Sequence, residues 1–250
     1  MRRLVPVLLL MLAGCAPPGP ADVRMEADAA QGELGARAGH PANPSTETGL
    51  RRIGTGARAA YLYVPKSYRA DKPAPFIVML HGAGGSGQHG IDLVTRHADR
   101  LGLIVLAPSS RAQSWDMISN RSYGADVGPL DAALADVFNQ YAVDPERVAV
   151  GGFSDGASYA LSLGLINGDL FRRIIAFSPG FMKPMRAEGR PAIFISHGVR
   201  DQVLPIDICS RRLVPALRKG GYEVDYVEFQ GGHTVPGDLA RRAYEALVGT

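Results

Sequence analysis

From residue 59 onward, short apolar runs rich in β-branched and aromatic residues alternate with stretches of helical spacing, and few folds accommodate that rhythm. Runs at 60–64, 76–80, 103–107, 148–151, 174–178, 192–196 and 224–229 predict strands. Most are apolar on both faces, so they need cover above and below, which predicts an α/β fold with a mostly parallel central sheet and helices on both faces. Helical spacing fills the gaps at 88–100, 127–141, 155–166, 207–220 and 237–248. The length of 250 residues fits one such domain, and 46% apolar with 20% charged residues describes a globular chain. The formal charge of +3 falls to +1 without Arg2 and Arg3, which gives no support to a nucleic-acid partner.

In parallel sheets of this kind, reacting groups collect at the carboxyl ends of the strands. The run at 148–151 leads into Gly152-Phe153-Ser154-Asp155-Gly156 and then into the helix-forming Ala157-Ser158-Tyr159-Ala160-Leu161. A G-x-S-x-G between strand and helix is the nucleophile elbow of the α/β-hydrolase fold. It lifts the serine hydroxyl above the sheet at a helix N-terminus, where developing negative charge is favoured. Serine needs a base at neutral pH, and the base needs an orienting carboxylate. The strand at 192–196 runs into His197-Gly198-Val199-Arg200-Asp201, and the last strand runs into Gln230-Gly231-Gly232-His233. Ser154, Asp201 and His233 therefore stand in the Ser…Asp…His order of that fold and are the candidate catalytic residues.

Other residues compete for these roles from weaker positions. Asp207 follows Pro205-Ile206 and reads as a helix-capping acid. His81 and His197 each precede a glycine at a strand end, as loop-bracing histidines do, while His89 and His97 fall in a predicted helix. Cys209 is expected to be a small buried hydrophobe. Acyl transfer also needs donors for an oxyanion. The glycine-rich His81-Gly82-Ala83-Gly84-Gly85-Ser86-Gly87 follows the second run, and it lacks the Lys-Ser/Thr that a phosphate-binding P-loop requires. The expected donors are the Ala83 N–H and the Asp155 N–H. A carboxylate at Asp155 must then point away from the oxyanion, or it would oppose the charge being stabilised. Trp115, Met117, Phe181 and Leu204 sit near these loops and are expected either to line an apolar substrate pocket or to pack. The segment 181–190 is too short for a large lid domain.

Taken together, His81-Gly82, Gly152-Phe153-Ser154-Asp155-Gly156, the stretch from His197 to Pro205 and Gly232-His233 resemble the motifs of the phospholipase/carboxylesterase group of α/β-hydrolases. They are somewhat less similar to polyhydroxybutyrate depolymerase and feruloyl esterase relatives. The resemblance covers about residues 60 to 248. It implies a serine carboxylesterase that needs no metal and no organic cofactor and acts on a small-molecule or lipid-like ester. Where that group often carries glutamine or another uncharged residue, this chain has Asp155. Thioesters and polyesters remain alternative substrates, and a lipid-anchored, non-catalytic binding protein on a hydrolase fold is an alternative of another class.

Upstream, Arg2-Arg3 and the apolar run 4–12 have the form of a secretory signal too short to span a bilayer. Leu12-Ala13-Gly14-Cys15 resembles a bacterial lipobox, which implies cleavage before Cys15 and its acylation. The expected organisation is a lipoprotein signal peptide at 1–14, a flexible tether at 15–50 and a catalytic domain at 51–250. Ala16 after the cysteine implies a lipid-anchored protein of the cell envelope, held at the outer membrane in a Gram-negative host. His40 lies in the tether and is expected to be solvated.

Overall fold

The computed structural model describes residues 26, 28–53 and 58–249. Cys15 and the expected signal peptide at 1–14 lie outside the described residues. Eight strands run β1 (Gly49–Ile53), β2 (Ala60–Val64), β3 (Ala74–Leu80), β4 (Ile104–Ala107), β5 (Val143–Phe153), β6 (Arg173–Phe177), β7 (Ala192–Gly198) and β8 (Val224–Phe229). They form one sheet in the order β1-β2-β4-β3-β5-β6-β7-β8. β1 pairs antiparallel with β2, and β2 antiparallel with β4; every later pairing is parallel. The helices are α1 (Gly87–Asp92), α2 (Thr95–Leu101), α3 (Asp116–Ser119), α4 (Val127–Gln140), α5 (Asp155–Ile166), α6 (Ser210–Lys219) and α7 (Gly237–Val248).

The two-residue period of a strand divides the core. Phe76, Val78 and Leu80 of β3 join one apolar cluster with Leu130 and Leu134 of α4, Ala157 and Leu161 of α5, and Val214 and Leu217 of α6. Ile77 and Met79, from the other face of the same strand, join Ile91 of α1, Ala98 of α2, and Ala243 and Tyr244 of α7. Helices thus cover both faces, and the residues following β3, β5, β7 and β8 gather at one edge.

Three expectations are corrected. The expected helix at 88–100 is broken into α1 and α2, because i→i−3 bonds from Leu93 to Gly90 and from Val94 to Ile91 tighten the chain there. β5 begins at Val143, earlier than the apolar run, with a register shift against β3. Residues 28–50 are not a free tether. Leu34 is buried in the first cluster, the Leu34 N–H donates to Asn167 Oδ1, and the Ala36 N–H donates to Asp131 Oδ1. Further along, the N–H groups of Asn43 and Ser45 donate to the carbonyls of Asn139 and Gln140 at the end of α4, and the segment closes as edge strand β1. A strap held by backbone donors on fixed side chains needs no apolar period, so its sequence reads as linker.

Candidate active site

The turn from β5 to α5 is sharp enough to exclude side chains. A Cβ at Gly152 would lie 2.3 Å from the Gly156 carbonyl carbon, and one at Gly156 would lie 2.3 Å from the Leu80 carbonyl oxygen, so both positions require glycine. Between them Ser154 has φ +58°, a conformation that a residue with a Cβ rarely holds. Its N–H donates to the Phe177 carbonyl, and its own carbonyl accepts from the N–H groups of Ala157 and Ser158. The strained residue is therefore fixed from both sides.

His233, in the loop after β8, stands over this elbow. Its Nε2 is 2.8 Å from Ser154 Oγ and its Nδ1 is 2.6 Å from Asp201 Oδ2. A carboxylate only accepts, so Nδ1 carries the proton and Nε2 is free to accept from the serine hydroxyl. The Phe153 ring lies 4.6 Å from the imidazole, centroid to centroid, and limits its rotation. Asp201 is buried. Burial alone would raise its pKa, but hydrogen bonds from the Leu204 N–H, His233 and the Val203 N–H outweigh it and hold the group below its ordinary value.

His197 braces this carboxylate. Its Nε2–H donates to the Leu204 carbonyl at 2.8 Å and lies 3.3 Å from Asp201 Oδ2, while its Nδ1 accepts from the Ser210 hydroxyl. Burial lowers its pKa, and both ring nitrogens are already hydrogen-bonded, so it is a neutral brace rather than a second base. His81 does similar work on the opposite flank. Its Nδ1–H donates to the Gly82 carbonyl, its Nε2 accepts from the Ser110 N–H, and burial again lowers its pKa. Asp207 is exposed and paired with Arg211, away from either histidine.

The glycine-rich loop passes directly over Ser154. A Cβ at Gly82 would lie 3.3 Å from Ser154 Cβ. The Ala83 N–H, next in the chain, donates to no protein acceptor among the described residues. Asp155 opens α5, where a backbone N–H has no intrahelical acceptor. Its carboxylate is held by Ser114, with Oδ2 accepting from the Ser114 hydroxyl.

The expected pocket residues divide. Trp115, only 1% exposed, stacks on Tyr159 and donates its Nε1–H to the His81 carbonyl, and Met117 is buried beside it. Both are packing, a correction whose cause is the burial of the whole 114–117 stretch. Phe181 and Leu204 are half-buried. Leu204 faces Gly180, and the Gly180 N–H is tied to Ser158 Oγ, one turn beyond Ser154. Ser114 was not singled out for its own contact. The signal that marks it is its place just past β4 beside an unusual charge after the elbow serine. No group of three or more metal-ligating side chains occurs among the described residues.

The sequence pattern of the phospholipase/carboxylesterase family matches residues 130–247. A "Probable feruloyl esterase C" of Aspergillus oryzae is 28% identical over 174 residues, which are 66% of this chain and 62% of that protein. An acetylxylan esterase of Coprinopsis cinerea is 31% identical over 135 residues, 50% of this chain and 36% of that one. The chain thus spans less than two thirds of the length of these curated relatives. The crystal structure of esterase PE8 superimposes with a TM-score of 0.61 and 26% identity, covering 79% of this chain and 98% of that chain. Sheet order, elbow and these matches together show that the chain has the α/β-hydrolase fold and is similar over residues 130–247 to the phospholipase/carboxylesterase family.

Proposed function

We propose that this chain is a serine carboxylesterase working through an acyl-enzyme on Ser154. The observation that carries the reading is the unbroken line from Asp201 Oδ2 through His233 to Ser154 Oγ, with hydrogen bonds of 2.6 and 2.8 Å. As Ser154 Oγ attacks the ester carbonyl, its proton passes to His233 Nε2, and Asp201 stabilises the imidazolium that forms. The N–H groups of Ala83 and Asp155 receive the oxyanion. His233 returns the proton to the departing alcohol, then takes one from water, which releases the acid and restores the serine. Phe181 and Leu204 contribute apolar walls to the substrate site. Similarity to esterases of feruloyl and acetyl groups favours esters borne on carbohydrate over thioesters and polyesters.

Fluorophosphonate labelling and p-nitrophenyl ester turnover across acyl lengths test the mechanism. Ser154→Ala is expected to abolish labelling and to lower kcat by roughly 10⁵- to 10⁶-fold. Turnover at the wild-type rate in that variant would move the chemistry elsewhere, and a wild-type chain that neither labels nor turns over ester would be a binding protein. Acetylated and feruloylated oligosaccharides, compared with free aryl esters, separate the substrate classes.

The sequence Leu12-Ala13-Gly14-Cys15 also supports an envelope location, with Cys15 lipidated and the domain held at a membrane surface. Palmitate incorporation that disappears in Cys15→Ser is the expected result. Incorporation that survives the substitution defeats that assignment.

A further inference from the structure

Three consecutive residues tie together the two loops that supply the proposed oxyanion donors. The Gln113 carbonyl accepts from the Gly84 N–H at 2.6 Å. The Ser114 hydroxyl donates to Asp155 Oδ2. The Trp115 Nε1–H donates to the His81 carbonyl at 2.9 Å. His81 and Gly84 flank Ala83, and Asp155 follows Ser154, so one short segment reaches both sides of the space an oxyanion would fill.

The segment is itself immobilised. Trp115 is stacked on Tyr159 at 5.1 Å with an interplanar angle of 14°, and the His81 ring lies 4.8 Å from it. The buried Asp126 carboxylate accepts from the N–H groups of Arg111 and Asp116. Asp116, also buried, accepts from the N–H groups of Met117, Gly124 and Asp126 and from the Tyr159 hydroxyl. The Ser119 hydroxyl caps the Ser114 carbonyl. Ser114, 7% exposed, is thus a fixed donor.

A fixed donor matters because of what it holds. Asp155 places a carboxylate beside a nucleophile whose reaction develops negative charge. At separations of a few ångströms and reduced dielectric, two like charges repel strongly enough to slow the reaction by an order of magnitude or more. From these contacts we infer that Ser114 is a positioning residue for ester hydrolysis. Its hydroxyl holds the Asp155 carboxylate off the oxyanion while leaving the Asp155 N–H aimed at it. The inference rests on the acyl-enzyme reading of Ser154 and adds a residue to it.

Ser114→Ala frees the carboxylate and is expected to lower kcat about tenfold with KM little changed, since the charge opposes the transition state rather than the bound ester. In an Asp155→Asn background the same substitution is expected to cost less than about twofold, because no charge remains to be released. The second-order rate of fluorophosphonate labelling follows the same pattern, since the phosphonyl oxygen occupies the oxyanion position. Asp155→Glu, which keeps the charge but outreaches Ser114, is expected to fall about tenfold below Asp155→Asn and supplies the comparison should Ser114→Ala fold poorly. Equal losses from Ser114→Ala in both backgrounds, or equal rates in the Glu and Asn variants, overturn the inference while Ser154→Ala remains inactive. Full turnover or labelling in Ser154→Ala instead overturns the reading beneath it.

Discussion

The two flanks of Ser154 are built from different material. On the His233 side, side chains do the work: a buried carboxylate, an imidazole held at 2.6 Å, and a neutral histidine bracing the same carboxylate. On the Ala83 side, backbone does the work, and side chains position it: His81 and Trp115 hold peptide groups in place, and Ser114 holds the Asp155 carboxylate. In the proposed reaction a proton must move along the first flank, so chemistry fixes the residue types there. On the second flank charge need only be met by an N–H, which any residue supplies, and what has to be specified is position.

Substitutions on the two flanks should therefore differ in kind as well as size. Asp201→Asn keeps an oxygen for the Val203 and Leu204 N–H groups but offers His233 Nδ1 the wrong partner, and kcat is expected to fall roughly 10⁴-fold. Its pH-rate profile should change shape as well, because the imidazole loses the charge that stabilises its protonated form. A loss under tenfold would mean that Asp201 only packs. Gly82→Ala, on the other flank, sets a methyl 3.3 Å from Ser154 Cβ and 3.5 Å from the Phe153 carbonyl oxygen, so the loop must shift by a few tenths of an ångström. There kcat is expected to fall roughly tenfold with the pH profile unchanged. An altered profile in the second variant would erase the distinction.

The same division decides what could be read in the sequence. Ser154, Asp201 and His233 are legible because each is a reactive side chain placed just after an apolar run, and β2, β3, β4, β6, β7 and β8 are legible because those runs are β-rich on both faces. The early part of β5 was missed because Asp144-Pro145-Glu146 looks like a turn, although it runs on into the strand. Trp115 looked like a pocket wall because a large aromatic after a strand end can serve either purpose, and only the stack on Tyr159 decides between them. Residues 28–50 read as linker for the reason that also hides the second flank: their positions are set by backbone hydrogen bonds to distant side chains, Asn167 and Asp131, and no local period records them. Ser114 belongs with that group, since its partner is 41 positions away.

Each flank also keeps a buried carboxylate, and the two are displaced in opposite directions. Asp201 accepts from two N–H groups and from His233, and sits below its ordinary pKa. For Asp126 burial dominates; the Arg111 N–H pulls the pKa back, the Asp116 charge raises it further, and the group is pushed up to about 6. The consequences for stability have opposite signs. A depressed Asp201 adds stability above its unfolded pKa of roughly 4, and this is lost as the pH falls through its folded value. A raised Asp126 binds a proton in the folded state that the unfolded chain has released. Its contribution to stability therefore falls as the pH rises from roughly 4 to about 6 and is constant above that. Asp126→Asn removes this titration, while its amide nitrogen faces one of the two N–H donors and lowers Tm at every pH. The excess of the wild-type Tm over that of the variant is expected to shrink between pH 4 and pH 6.5 and then to level. Scanning both proteins by calorimetry at half-unit steps measures it, and a gap that is flat or widens across that window rejects the upward displacement of Asp126.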